Sequence, residues 1–196
     1  MDILISALAL VGGYLVGSMS VAGRIGQAAG ADAARGNEAT PDRGSVASPG
    51  PADVWRLAGP GWGLLALTGD LAKGLLPVAI GIVSWSWWAG WAAGLGALLG
   101  TGWPLFGRLP GGSGLVTLAG VAIALSPVAG LGAMLMGAIA LGVVRLLGSS
   151  GPAVAVATGF GAYPLLFLLD QADLIRLAGI GVLYLVAIVR STTTRH

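Results

Sequence analysis

Residues 74–107 contain no Asp, Glu, Lys, Arg or His in 34 consecutive positions. Residues 109–144 repeat the pattern over 36 positions, and residues 146–169 over another 24. At a rise of ~1.5 Å per residue, a 34-residue helix is ~50 Å long, whereas the hydrocarbon core of a bilayer is ~30 Å thick. Each of the two longer runs therefore crosses a membrane twice. The reversals are expected at Ser84-Trp85-Ser86 and at Ser126-Pro127, the polar or helix-breaking points inside the runs. Composition excludes a water-soluble globule: 56% of the chain is hydrophobic and 9% charged, against about 25% charged residues in soluble domains. The expected fold is all-α, a polytopic bundle of six or seven transmembrane helices forming one integral membrane domain over residues 1–196.

The same composition narrows the chemistry. There is no cysteine, and the one histidine, His196, is the last residue. Disulfides and thiolate metal sites are excluded, and a His-based zinc site or a Ser-His-Asp triad has no residues to build on. Neither a metal nor a cofactor is expected. Net charge is only +2, so the basic isoelectric point does not argue for a nucleic acid partner. Residues 1–22 do not read as a signal peptide, because Asp2 stands where a cation belongs and the apolar stretch runs too long.

Helices are expected near 3–22, 62–83, 86–104, 115–126, 128–147, 152–169 and 174–190. The fourth, about 12 residues and roughly 18 Å long, is too short to cross upright and must be tilted or continuous with a neighbour. Between the first two helices lies the one long polar segment, residues 23–60. It reads as a connector, yet it gathers Arg24, Asp32, Arg35, Glu38, Asp42, Arg43, Asp53 and Arg56, and loops commonly carry function. With the N-terminus outside, seven helices leave the C-terminus inside. Cytoplasmic segments then hold Arg24, Arg35, Arg43, Arg56, Arg108, Arg145, Arg190 and Arg195, eight of the ten basic residues. That bias predicts N-out and C-in. The 35 glycines fit close helix packing in lipid. Trp85, Trp87, Trp88 and Trp91 fit an aromatic belt at the outer turn.

Three constellations could carry chemistry. Asp70 and Lys73 lie three apart in Gly69-Asp-Leu-Ala-Lys-Gly74 and share a helix face. Intramembrane ionisable residues face the bundle interior and mark function, although a structural ion pair that fixes packing is the plainer reading. The second is the cytoplasmic turn 105–114, where Gly111, Gly112, Ser113 and Gly114 lead into a helix with Thr117 in its first turn. Successive glycine amides ahead of a helix start favour an anion such as phosphate; a tight interhelical turn wants the same glycines. The third runs from Arg43 to Arg56 and combines Ser45, Ser48, Asp53 and Arg56, the guanidinium offering a fork suited to phosphate oxygens.

Taken in order, Tyr14-Leu-Val-Gly-Ser18, Ser48-Pro-Gly-Pro-Ala-Asp-Val-Trp-Arg-Leu-Ala-Gly59, Asp70-Leu-Ala-Lys-Gly74, Gly100-Thr-Gly-Trp-Pro104 and Gly111-Gly-Ser-Gly-Leu-Val-Thr117 resemble the acyl-phosphate:glycerol-3-phosphate acyltransferase family of bacterial membranes. The resemblance covers essentially the whole chain. It implies seven helices, N-out and C-in, in the bacterial plasma membrane. It also implies acyl transfer from acyl phosphate to the 1-hydroxyl of glycerol 3-phosphate, giving lysophosphatidic acid for phospholipid synthesis. Membrane lipids, acyl phosphate and glycerol 3-phosphate are the implied partners. Substrate contacts would fall to Arg56, Gly111, Gly112, Ser113, Gly114 and Thr117, with Ser45, Ser48 and Asp53 as catalytic candidates.

The chain departs from the family pattern at defined positions. The first motif, Gly-Ser-Gly-Asn-x-Gly-Ala-Thr-Asn, places its serine on Val46 and its asparagines on Ser48 and Asp53, keeping Gly50 and Arg56; a one-residue insertion would restore the serine as Ser45. Thr101 stands at the family histidine, and Lys-Gly-Gly-Lys-Gly becomes Pro110-Gly-Gly-Ser-Gly114. Each lost charge-assisted hydrogen bond is worth roughly 1.5–3 kcal/mol. With no histidine available, Asp53 is the best-placed general base. Two readings stay open, a divergent acyltransferase and a catalytically inactive paralogue that binds lipid or another membrane acyltransferase. A small-solute transporter is a distant third.

Overall fold

The computed structural model describes residues 2–30, 50–105, 114–146, 161–167, 169–170 and 173–193. Among these, all regular structure is helical. Eight helices are defined: α1 (Asp2–Gly17), α2 (Val21–Ala28), α3 (Pro51–Ala58), α4 (Pro60–Ser84), α5 (Trp87–Gly102), α6 (Leu115–Leu125), α7 (Pro127–Leu146) and α8 (Leu174–Thr193). Residues 161–167 are also helical. The expected helix over 152–169 lies partly outside the described residues.

Local chemistry sets the breaks. Trp85 and Ser86 end α4, and the Ser86 hydroxyl then caps α5 by accepting the Ala89 N–H at 3.2 Å. Ser126 ends α6 and accepts the Ala129 N–H at 3.3 Å, while Pro127 supplies the first residue of α7. Both serines act as N-caps, and Pro127 in addition has no N–H to leave unpaired at the start of α7. α6 is only 11 residues long.

Close helix contact fixes the relative directions. A Cβ at Gly13 would strike the Ala93 carbonyl and one at Gly17 the Ala97 carbonyl; Gly96 and Gly100 meet the Leu10 and Tyr14 carbonyls in the same way. Numbers rise together in steps of three to four, so α1 and α5 run parallel along a seam that only glycine permits. α4 runs opposite to both, with Gly81 on Gly90 of α5 and Gly94 of α5 on Val78. α6 runs parallel to α4: Gly74 meets Thr117, and one turn on Val78 and Val121 meet at Gly94. The ends of α1 and α5, the first half of α4 and the start of α6 therefore share one end of the bundle.

The core gathers Val78, Leu98, Leu118, Val121, Tyr163, Phe167, Ile180 and Leu183. Outward-facing positions are equally apolar: Ile3, Val83 and Leu146 are 86–88% exposed. Water would reject such a surface, and lipid accepts it. Trp85 and Trp88 stand exposed at one end, and Trp55, Trp62 and Trp103 at the other. The tryptophan group near the outer turn is thus only half a belt. Trp91 donates its indole N–H to the Gly179 carbonyl at 2.9 Å, and Trp87 packs edge-on to Trp88 beneath the Arg176 guanidinium. Those two rings lock α8 onto α5 instead of meeting headgroups.

Segment 23–60 needs correction. It is not a plain connector, because it begins inside α2 and ends with the whole of α3. The first helix also ends at Gly17, five residues earlier than expected. Both inserted helices are eight-residue amphipathic turns. Ala22 of α2, Val54 of α3 and Ala66 of α4 form their own small core, flanked by Ile25 and Ala58. Arg24 and Arg56 point away from it. Eight residues give too little periodicity to stand out beside long apolar runs.

Candidate functional site

The first half of α4 carries the ionisable pair to the end of the bundle. Lys73 and Asp70 side chains are 7% and 14% exposed and meet at 2.9 Å, Nζ to Oδ1. The ammonium also donates to the Met19 carbonyl at 3.1 Å, in the bend between α1 and α2. Asp70 Oδ1 takes the cation as an ion pair without an aligned hydrogen bond. Lys73 is central in α4 by count. Its reach to Met19, and the contact of Gly69 with Val21 and Ile25, put it level with the end of α1. The pair therefore sits at the boundary between the bundle and the α2–α3 layer, although it lies near the middle of its own helix.

Three other ends meet there. Ser18 is buried and donates to the Tyr14 carbonyl at 2.7 Å, closing the last turn of α1. Thr101, near the end of α5, has its hydroxyl 2.8 Å from the Ala97 carbonyl and 3.3 Å from the Gly17 carbonyl. The Tyr14 hydroxyl donates to the Trp103 carbonyl at 2.8 Å, tying the same two helices. Gly74 presses on the carbonyl of Thr117, which is fully buried in the first turn of α6. Gly114 starts that helix with φ +71°, a left-handed conformation that favours glycine. Its carbonyl accepts the Leu118 N–H; the N–H groups of residues 115–117 have no intrahelical partner, as at any helix start.

The α3 residues occupy the flank of this corner. Pro51 opens the helix, and Asp53 Oδ2 accepts the Gly50 N–H at 3.1 Å. Asp53 thus already serves as an N-terminal cap. Arg56 projects from the same helix and is exposed. Ser45, Ser48, Gly111, Gly112 and Ser113 lie outside the described residues. Of the residues singled out in the sequence, the structure brings Lys73, Asp70 and Thr117 to one level, with Gly114 a turn away. Ser18 and the Met19 and Gly17 carbonyls were not singled out as ligating groups. Ser18 was legible as a polar residue closing an apolar helix; the carbonyls leave no mark in a sequence.

A cation, a row of unpaired helix-start amides and an arginine-bearing helix at one end of an apolar bundle suit a phosphate on a lipid. Among the described residues no cluster of acidic or histidine side chains could hold a metal.

Comparison with known proteins agrees with this architecture. The profile of the family described as Glycerol-3-phosphate acyltransferase matches residues 7–196. The glycerol-3-phosphate acyltransferase of Desulforudis audaxviator (strain MP104C) is 45% identical over 80 residues, 41% of this chain and 40% of that protein. That of Rubrobacter xylanophilus is 35% identical over 130 residues, 66% of this chain and 61% of the relative. The match thus spans less than two thirds of the length of these curated relatives. Crystal structures of PlsY (YgiH), an integral membrane glycerol 3-phosphate acyltransferase, superpose with a TM-score of 0.74 in both forms. The glycerol 3-phosphate form is 24% identical, covering 96% of this chain and 89% of that one; the lysophosphatidic acid form is 25% identical, covering 94% and 87%. The fold is an integral membrane helix bundle.

Proposed function

The chain belongs to the glycerol-3-phosphate acyltransferase family, and from that premise we propose that it binds glycerol 3-phosphate and single-chain lipid phosphates at the Lys73 end of its bundle. The observation that carries this reading is the buried ammonium of Lys73, held level with the first turn of α6. Phosphate would lie on the amides of residues 111–114 and the α6 start, with Thr117 beside them and Arg56 as the second cation. The expected orientation is N-out and C-in, which sets this end on the cytoplasmic face. Reporter fusions after residues 45 and 108 should read as cytoplasmic and one after residue 85 as external; the reverse pattern would invert the assignment.

The reaction such a site serves is acyl transfer from acyl phosphate to the 1-hydroxyl of glycerol 3-phosphate. In this chain it should be slow. Asp53 is committed to capping α3, Thr101 is hydrogen-bonded to backbone carbonyls, and the flanking lysines of the glycine turn are replaced. A positioned general base contributes about 10²–10⁴-fold. Purified protein given both substrates should therefore form lysophosphatidic acid at least ~100-fold more slowly than a motif-complete relative. Comparable turnover would refute the slow-enzyme reading, and Asp53→Asn would then report on the base.

The engaged Asp53 and Thr101 favour one second reading, a catalytically silent member that binds lipid phosphate or a partner acyltransferase. The enzyme and the lipid-phosphate-binding form of the silent member both require anion capture. Millimolar glycerol 3-phosphate should raise the melting temperature, the rise should shrink as salt screens Arg56, and Arg56→Ala should remove most of it. No shift with any phosphate compound would end both versions of phosphate binding. Rescue of a strain lacking its own acyltransferase separates enzyme from silent member.

A further inference from the structure

Lys73 is the only lysine in the chain. Its ammonium faces Asp70 Oδ1 at 2.9 Å and donates to the Met19 carbonyl at 3.1 Å. That carbonyl also accepts the Val21 N–H at 3.0 Å, which pins the α1–α2 bend. Asp70 shares the corner with the start of α6. It lies one turn before Gly74 on the same face of α4, and Gly74 presses on the Thr117 carbonyl in the first turn of α6. The two helices run parallel, and a helical Cβ tilts toward the N-terminus, so the carboxylate is level with the opening of α6. Its Oδ1 is buried and makes no aligned hydrogen bond. Asp53, by contrast, is engaged with the Gly50 N–H. A carboxylate thus stands beside both the buried ammonium and the amides that open α6, where the reading above puts phosphate.

We propose that Asp70 is an internal rival of the substrate phosphate for Lys73. The ammonium passes from carboxylate to phosphate on binding and returns on release. The proposal rests on the phosphate-binding reading above and adds to it the residue that limits how tightly phosphate is held. Charge supplies the reason. A phosphomonoester carries about −1.5 to −2 at neutral pH, and a fixed carboxylate beside it repels it, so Asp70 weakens capture. The same carboxylate keeps the ammonium partnered once the phosphate has gone, since a buried charge left alone is costly. Glycerol 3-phosphate and lysophosphatidate carry the same phosphate, so a corner without this carboxylate would also release product slowly. Asp70 is therefore a positioning residue, acting through Lys73 to lower affinity and speed release.

The test follows melting of the full-length protein in one detergent as glycerol 3-phosphate is added. Without ligand, Asp70→Asn should melt below the parent, because Lys73 loses its anion. It should then need at least ~10-fold less glycerol 3-phosphate for half of its melting shift, and lysophosphatidate should dissociate from it more slowly. Asp70→Glu restores the charge and should return both values toward those of the parent. Asp70→Asn/Lys73→Met should show neither gain. A pair that only fixes packing predicts the opposite sign: Asp70→Asn needing as much ligand as the parent, or more, would overturn the proposal. Should Asp70→Asn not yield folded protein, the parent decides. Grown on lysine with an isotopic nitrogen label, it gives a single Nζ resonance, which glycerol 3-phosphate should shift as the ammonium changes partner. A resonance that stays in place while glycerol 3-phosphate raises the melting temperature would overturn the exchange. No melting shift in either the parent or Asp70→Asn would instead remove the phosphate reading on which the proposal rests.

Discussion

Lys73→Met should destabilise the protein far more than the double change Asp70→Asn/Lys73→Met. The single variant leaves the Asp70 carboxylate 14% exposed and without the cation that lies 2.9 Å away. Stranding a buried charge costs about 3–5 kcal/mol. For a chain of 150–250 residues that corresponds to a drop in melting temperature of roughly 6–20 °C, at about 2–4 °C per kcal/mol. The double variant strands no charge. What it loses is the hydrogen bond from Lys73 to the Met19 carbonyl, a deficit of about 1–3 kcal/mol for an unsatisfied buried acceptor. Melting of the three purified proteins in one detergent decides the matter. Equal losses for single and double variants would mean that the two groups act independently despite their distance. The Met19 bond adds a second consequence. The α1–α2 bend should loosen in both variants, so proteolysis in that bend should rise in both to a similar extent.

How much of this was legible beforehand follows from which forces leave a trace in sequence. The all-α membrane architecture was legible, because the cost of putting charge into lipid empties long stretches of charge. The reversals at Ser84–Ser86 and Ser126–Pro127 were legible too, since a serine cap or a proline is a local signal. The spacing of Asp70 and Lys73 brought them to one helix face, and their contact follows from it. Their depth did not follow, because depth depends on where α1 ends, 54 positions away in the chain. α2 and α3 escaped notice for another reason. Val21, Ala22 and Ile25 mark one face of α2, and Gly50-Pro51-x-Asp53 is a helix-start signature, but glycine and alanine surround both and blur the pattern. Of the candidate site, the α3 residues and the Gly114–Thr117 start were legible as motifs, while the carbonyls of Gly17 and Met19 that organise the corner belong to the backbone.

Glycine shows the same limit most sharply, and it yields the second large effect. Gly12 and Gly13 are neighbours in α1 with opposite surroundings: a Cβ on the first meets nothing within 4 Å, and a Cβ on the second lands on the Ala93 carbonyl and within 2.9 Å of Ala93 Cα. The atoms in the way are backbone, so no rotamer change can make room. Gly13→Leu must push α1 off α5, and the Gly17, Gly96 and Gly100 contacts share that seam. Lipid offers no hydrophobic drive to close it again, because the association depends on packing at short range. Overpacking typically costs about 1–3 kcal/mol, and a backbone clash that opens a whole seam belongs at or above the top of that range. Gly13→Leu should therefore lower the melting temperature by at least roughly 6–12 °C or fail to yield a monodisperse protein. It should also break the Tyr14–Trp103 bond, exposing that bend to protease. Gly12→Leu, one residue away and chemically identical, should melt within a degree or two of the parent, since it fills space that only lipid occupies. Equal behaviour of the two variants would mean that α1 does not pack on α5 through this face, and the parallel register of the two helices would have to be redrawn.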